Sequence, residues 1–363
     1  MRPDFPTNYA SILERINQID PVAYGKSRNY LNGAVTYLSP YVSRGVISTR
    51  QLLDAVLAKG YKVREIESFV KELCWRDYFQ RVGQHKDLSS DIRFPQTDVA
   101  SHGIPKAVLQ GQTGVAAVDQ AIQVLYETGY MHNHSRMYTA SIVCNVAKSY
   151  WKNPSQWMYY HLLDGDWASN TCSWQWVAAA NSSKKYFANQ ENINKFACTN
   201  QRGTFLDKSY EELEVMDIPE VLSGAEVLHL DSSLHQMTEI EVNTNLPSFI
   251  YNYYNLDPLW HQHEEGNRIL LLEPEFFKQY PVSKKCIDFV FGLSQNISHV
   301  QVYVGSFQSL INHCGKSQMR FKEHPLNKHY MGIEEPRDWI APEVDGYFPS
   351  FFGYWKQVEK CLR

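Results

Sequence analysis

At 363 residues the chain can hold two domains with sizeable cores, and its 13% of aromatic residues reads first as dense core packing. No run of about 18 apolar residues appears, which excludes a membrane-spanning helix. Seven cysteines without a C-x-x-C pair, and no apolar leader after Met1, point to free thiols in a reducing, cytoplasmic compartment. The formal net charge of −4 hides an asymmetry: residues 1–210 carry 23 Lys and Arg against 17 Asp and Glu, residues 211–363 carry 12 against 22. A polyanion such as nucleic acid would meet the first part and be repelled by the second.

In chain order, residues 1–20 predict one short helix capped by Thr7 or Asn8. Ser39-Pro40 before an apolar run predicts a second helix start, with the serine as cap and a phosphate as a natural ligand of such an end. Ser48 opens a helix that ends near Gly60, and REIESFVKELCWRDYFQRV continues with a period close to 3.6. On that helix Glu72, Trp75 and Arg76 share a face, with Phe79 close by; the residues alone read as a salt bridge beside a core tryptophan. Residues 83–112 read as a long irregular connection, and GQTGVAAVDQAIQVLYETGY as a helix. GYMHNHSRM then leads into an apolar helix over 134–150, followed by LLDGDWASNTCSWQWVAA. There Asp164 and Asp166 flank a glycine and Asn170 follows a turn later; such carboxylates require a cation or donors, and Arg136 is the candidate. In residues 211–363, AEVLHL, PSFIYNYYNL, RILLLEP and VQVYVG read as buried strands separated by polar or helical stretches, and GYFPSFFGYWK as a packed tail or partner surface. The histidines at 132, 134, 161, 261 and 263 show no metal-binding spacing, so no metal is predicted.

Several of these pieces occur in a fixed order: E-L-C-W-R-D-Y-F, G-Q-T-G…V-D, M-H-N-H-S-R-M, Trp151-Lys152, D-G-D-W-A-S-N and W-Q-W. Together they resemble the flavin-binding half of the DNA photolyase/cryptochrome family, continuously from about Tyr24 to Phe187. The resemblance implies a mainly α protein: an all-helical FAD-binding domain at 1–210, then a smaller, acidic α/β domain at 211–363 with an aromatic tail. The family's Rossmann-like antenna domain, which normally comes first, is missing from that position. Residues 211–363 are either a relocated copy of it or another parallel α/β sheet, and a second, antenna chromophore is left unknown.

The resemblance assigns roles position by position. Tyr24, Arg28 and Val35-Thr36-Tyr37-Leu38-Ser39 align with the segment around the FAD pyrophosphate, although Ala34-Val35-Thr36 stands where G-T-S is usual. Phe69 takes the place of a tryptophan that packs on FAD. Glu72 would hydrogen-bond a flipped-out pyrimidine pair, Trp75 would stack on it, and Arg76 would lie near the cofactor. Asn133 and Met137 match the pocket of cyclobutane-dimer enzymes. Arg136 and Asp164 should pair beside the flavin ring, with Asp166 at its polar edge and Asn170, an aspartate in plant cryptochromes, facing N5. Trp176 would be the second wall of the lesion pocket. UV-damaged DNA would thus meet Arg28, Glu72, Trp75, Arg76, Phe79, Asn133 and Trp176. Trp174 and Trp151 match the inner and middle members of the electron-transfer chain; the outer tryptophan has no counterpart near Asp98, and Tyr150 and Trp157 are candidate substitutes. His134 replaces an arginine, removing a permanent cation. Cys198 alone cannot ligate the iron–sulfur cluster of one bacterial branch.

The implied function is light-driven, FAD-dependent repair of cyclobutane pyrimidine dimers, a lyase reaction. The alternatives are a blue-light receptor that binds FAD without repairing DNA, its acidic domain facing a protein partner, and a light-independent flavoprotein.

Overall fold

The computed structural model describes residues 3–234 and 239–362, and the chain forms two compact units. Asp20–Val35 and His85–Leu230 belong to the first; Phe5–Ile19, Thr36–Gln84 and Asp231–Arg363 belong to the second. The units therefore interleave along the sequence.

The first unit is helical. Its main helices are α1 (Ala116–Thr128), α2 (Asn133–Ser141), α3 (Lys152–His161) and α4 (Trp167–Val177). Gly129, in the left-handed region at φ 72°, ends α1 as a glycine C-cap does. The helix expected over 134–150 is shorter: α2 passes into a π-helical turn at Ile142–Val146, and Lys148 takes φ 53°, so the backbone turns before Trp151. The turn lies wholly in the core, and Asn145 donates from it to the carbonyls of Val177 (3.0 Å) and Tyr186 (2.7 Å). One apolar core gathers Ile122, Tyr138, Val143, Trp151, Trp157 and Trp174.

The second unit is mixed α/β: its sheet falls within the α/β domain expected at 211–363, and the chain as a whole is mixed α/β, not mainly helical. Its sheet has five parallel strands, β1 (Ser248–Tyr251), β2 (Asn267–Leu272), β3 (Val300–Val304), β4 (Met319–Lys322) and β5 (Ile333–Glu335), in the order β3-β2-β1-β4-β5. Ile250 pairs with Ile269 on one side and Phe321 on the other. The order reverses at β1, the pattern of a doubly wound Rossmann-like sheet. NRILLL is buried at every position, as an inner parallel strand must be. AEVLHL, expected as a buried strand, belongs to the first unit, where Ala225–Glu226 forms an exposed two-residue pairing antiparallel to Ile104–Pro105. MRFK and IEE, half polar and short, gave no strand signal yet form β4 and β5.

Against this sheet unit belong Tyr9–Asn17, capped by Asn8, Thr49–Leu57, closed by the Ser48/Gln51 capping box, and the long helix α5 (Glu67–His85). Ser39 is the first residue of a five-residue helix and not its cap; Leu38 occupies the cap without a side-chain bond, because Tyr37 enters at φ 53° and turns the chain one residue early. A helix this short has too small a dipole to be a phosphate site by itself.

Asp77, 4% exposed on α5, accepts from Thr49 Oγ1 (2.8 Å) and from the Ile340 amide (3.0 Å). Burial raises its carboxyl from 3.8 to about 6, against these bonds and the nearby Arg337 and Arg81. A folded pKa above the unfolded one adds stability that is complete below about pH 4 and is lost as pH rises through about 6. The stability of the wild type relative to Asp77→Asn is expected to fall by about 3 kcal/mol across that window, as read by urea denaturation at each pH.

Candidate functional site

The Arg136–Asp164 pair lies in the first unit. The Arg136 guanidinium donates through one Nη to both Asp164 oxygens at 2.9 and 2.8 Å, and its Nε donates to the Met131 carbonyl at 2.7 Å. The Asp164 side chain is 4% exposed and that of Arg136 22%, so the charges are paired in a poorly hydrated place, as the sequence required. Asp166, also buried, caps α4 by accepting from the Ser169 amide at 2.7 Å. The Asn170 amide donates to the Ser155 carbonyl at 2.9 Å, which leaves its own oxygen as an acceptor. Among the described residues, the buried Ser169 hydroxyl has no hydrogen-bond partner, and it sits on the turn between Asp166 and Asn170. A neutralised ion pair, an amide oxygen and an unsatisfied hydroxyl on one helix start suit the polar edge of a flavin, which offers both donors and acceptors.

Asn133 opens α2, and its amide approaches the Met137 sulfur at 3.9 Å, so the two expected pocket residues meet one turn apart. His132 Nδ1 accepts from the His134 amide at 3.2 Å, which requires a neutral ring; burial, with His134 and Arg136 nearby, lowers its pKa to about 4. His134 stacks on Tyr138 (centroids 5.3 Å) and lies 4.7 Å from Phe196, with Nδ1 2.6 Å from the Asn29 carbonyl. Burial lowers its pKa also, so it does not restore the lost arginine's charge. Tyr24 is half-buried on Pro21–Ser27, and Arg28 ends that helix; Val35 closes the segment of this unit. Trp176 is 41% exposed and tilts on Tyr186 at 5.7 Å. Trp174 and Trp151 are buried in the same core, and the Trp151 indole donates to Asp91 at 2.6 Å. Trp157, expected as an exposed substitute, is 1% exposed and its indole donates to the Tyr126 hydroxyl at 3.1 Å, because it lies on the face of α3 that buries Pro154 and Met158.

Thr36, Tyr37, Leu38, Ser39, Phe69, Glu72, Trp75, Arg76 and Phe79 belong to the second unit. Leu38 and Phe69 are core residues at 0% and 2% exposure, and Thr36 Oγ1 accepts from the Leu38 amide at 3.4 Å. Glu72 is half-buried; Arg76 donates to Ser43 Oγ at 2.7 Å. Trp75 packs with Phe79 at 5.2 Å and Tyr78 at 5.7 Å. Its ring face is covered: Phe351 stacks on it with centroids 3.8 Å apart at 10°. Phe351 begins the helix Phe351–Cys361, whose Phe351, Tyr354, Trp355 and Val358 are buried. The tail read as a packed tail or partner surface is helical from the Ser350 cap onward, and it packs along α5, with Tyr78 donating to the Phe348 carbonyl at 3.1 Å and Arg81 paired to Asp345 at 2.7 Å. Sequence reading missed this covering, since the partners are far apart in the chain and nothing local records their pairing.

At the carboxyl ends of β1, β2 and β4, where doubly wound sheets take ligands, Asn252, Tyr253, Tyr254, Glu273, His324 and Tyr330 line a cavity of about 20 Å³, room for one water. Tyr254 stacks on His324 there at 4.2 Å. An antenna ring would need these side chains to move.

A buried Arg–Asp pair, a capped D-G-D turn and an asparagine one turn on thus stand close together in the chain of the first unit. Residues 69–255 match the family model of the FAD binding domain of DNA photolyase, and the chain belongs to that family, with FAD as its cofactor. The deoxyribodipyrimidine photo-lyase of Synechococcus sp. is 30% identical over 218 residues, covering 55% of this chain and 44% of that protein. The mitochondrial deoxyribodipyrimidine photo-lyase of Saccharomyces cerevisiae is 29% identical over 178 residues, covering 45% of this chain and 31% of that protein. The chain thus spans less than half the length of these curated relatives. Among solved structures, a Synechocystis cryptochrome overlaps 54% of this chain and 44% of its own length, at 24% identity and a TM-score of 0.47. Among the described residues no helix is long and apolar enough to cross a membrane.

Proposed function

We propose that the protein is a light-driven lyase that repairs cyclobutane pyrimidine dimers in DNA. The observation that carries this reading is the meeting of Asn133 and Met137 at the start of α2, the helix that also supplies Arg136 to Asp164. FAD, when bound, reduced and excited by blue light, supplies the electron that splits the dimer and takes it back. The chain's own residues prepare that event. Arg136 and Asp164 would hold the flavin in a neutral setting, Asp166 and Ser169 would bind its polar edge, and the Asn170 oxygen would accept a proton donor without adding charge. Thr36 to Ser39, with Phe69 and Arg76, would hold the remainder of the cofactor, as the resemblance implies. Glu72 would hydrogen-bond the flipped dimer, and Trp75 and Trp176 would offer rings for it to stack on. The basic residues 1–210 would meet DNA, and the acidic residues 211–363 would face a protein partner. The seven unpaired cysteines support a reducing, cytoplasmic setting.

The second reading, a blue-light receptor that does not repair, is favoured by Phe351 lying on Trp75 and by the neutral His134. The protein, chemically reduced and loaded with FAD, is to be tested on a thymine dimer in single- and double-stranded oligonucleotides under blue light and in darkness. Light-dependent restoration of thymines is expected. Bound, reduced FAD with no repair would select the receptor. Glu72→Ala is expected to retain FAD and lose repair; loss of flavin would make Glu72 a structural residue.

A further inference from the structure

We infer that the outer edge of Ala225–Leu230 is a docking site for an extended segment of a partner protein, one that alternates basic and apolar residues and adds to the chain as a third strand. This sharpens the protein-partner reading above, on which it rests, and is independent of the flavin.

The segment has the composition of a strand, yet only two of its residues are paired: Glu226 with Ile104 and Ala225 with Pro105, antiparallel. The Lys106 amide donates to the Gly224 carbonyl at 3.2 Å, and Pro105 has no amide to give. The hydrogen-bonded positions of this ribbon are therefore Gly224 and Glu226. In an antiparallel pair the alternate residues turn their N–H and C=O to the other side. Ala225 and Val227 thus direct theirs away from Ile104–Pro105, and from Val227 to Leu230 the backbone makes no hydrogen bond among the described residues. Sheet edges are ordinarily guarded by proline, lysine or a bulge, and Ala225–Leu230 holds neither proline nor lysine.

The surrounding surface names the chemistry of the partner. Residues 209–231 carry seven carboxylates and no lysine or arginine. Four of the eleven large apolar side chains exposed among the described residues fall in the same stretch: Tyr210, Val215, Val221 and Val227. Single exposed apolar residues are ordinary, but such a concentration marks a contact surface. Leu213 and Leu222 anchor the stretch in the core of the first unit, and Leu228 packs against that core, so the acids and the remaining apolar groups stay outside. A strand laid along the open edge would set basic side chains across from Glu226 and apolar ones across from Val227, the pairings that stabilise a sheet. Nucleic acid, a polyanion, is repelled by the same surface.

The test is fluorescence anisotropy of a labelled peptide alternating lysine and valine, titrated into the protein, together with hydrogen–deuterium exchange of the complex. Saturable binding is expected, with slowed exchange in the fragment that holds Ala225 and Val227. N-methylation of alternate amides in the peptide keeps its charge but removes its strand hydrogen bonds, and should weaken binding by about tenfold. Val227→Pro, which removes an outward amide, and Glu226→Lys, which reverses a charge, should each weaken it to a similar degree. Glu275→Lys, at an exposed acid of the second unit, should leave affinity unchanged. Should Val227→Pro not fold, Glu226→Lys and the methylated peptide decide. Equal affinity for the plain and methylated peptides, or protection that appears only elsewhere in the chain, overturns the docking edge and leaves the protein-partner reading standing. No binding of the plain peptide overturns both.

Discussion

Asp164→Ala is expected to cost about 3 kcal/mol of stability, because the Arg136 guanidinium would remain buried without its carboxylate. The partial exposure of Arg136 keeps the loss at the lower end of the range for broken buried pairs. Stability alone would not separate a structural pair from one that serves the cofactor, since any isolated buried charge is costly. The double change Arg136→Met with Asp164→Leu makes the separation. Replacing both charges by apolar groups of similar volume is close to neutral for folding, so urea denaturation should return the double variant to within about 1 kcal/mol of wild type. If the pair holds flavin, the refolded double variant should still lose its bound FAD, read as the flavin absorbance that survives gel filtration. Full retention of FAD there would reduce the pair to a packing device.

Phe351→Ala should have the second large effect. The ring is 3% exposed and lies flat on Trp75, and truncating a buried phenylalanine costs about 3–5 kcal/mol. Phe351→Leu keeps most of the volume and should cost under about 1.5 kcal/mol while removing the stacked face. If Trp75 is a base-stacking residue held in reserve, Phe351→Leu should bind single-stranded DNA more tightly than wild type, by an amount comparable to one base–aromatic stack, about 1–3 kcal/mol. The gain should vanish in a Trp75→Leu background. Equal affinity in all three proteins would mean that Trp75 is a core residue that DNA does not reach.

Local signals were read well where the physics is local. Asn8 and Ser48 cap helices because a short polar side chain can satisfy the first free amides, and the sequence displays that choice directly. The period of 3.6 marked α5, and the need of two close carboxylates for a cation named Arg136. What was not legible depends on distant partners. Met319–Lys322 and Ile333–Glu335 are too polar and short to announce strands; the first becomes a strand on the open edge of β1, and the second on the edge that β4 then offers. Phe351 carries no mark that it will lie on Trp75. The Asp91 carboxylate was likewise invisible, since only the fold brings it to Tyr150 and Trp151.

The second unit gathers the first helix and the last. The Asn296 side chain donates to the Thr7 carbonyl at 2.7 Å and accepts from the Tyr9 amide at 2.9 Å, while Phe351 covers Trp75. During synthesis the apolar faces of Tyr9–Asn17 and α5 emerge long before their partners are made. At roughly 5–20 residues per second, more than ten seconds separate translation of Trp75 from that of Phe351. The nascent chain carries bare aromatic surface through that interval, so slowing translation is expected to raise the fraction of newly made protein that aggregates or is held by chaperones.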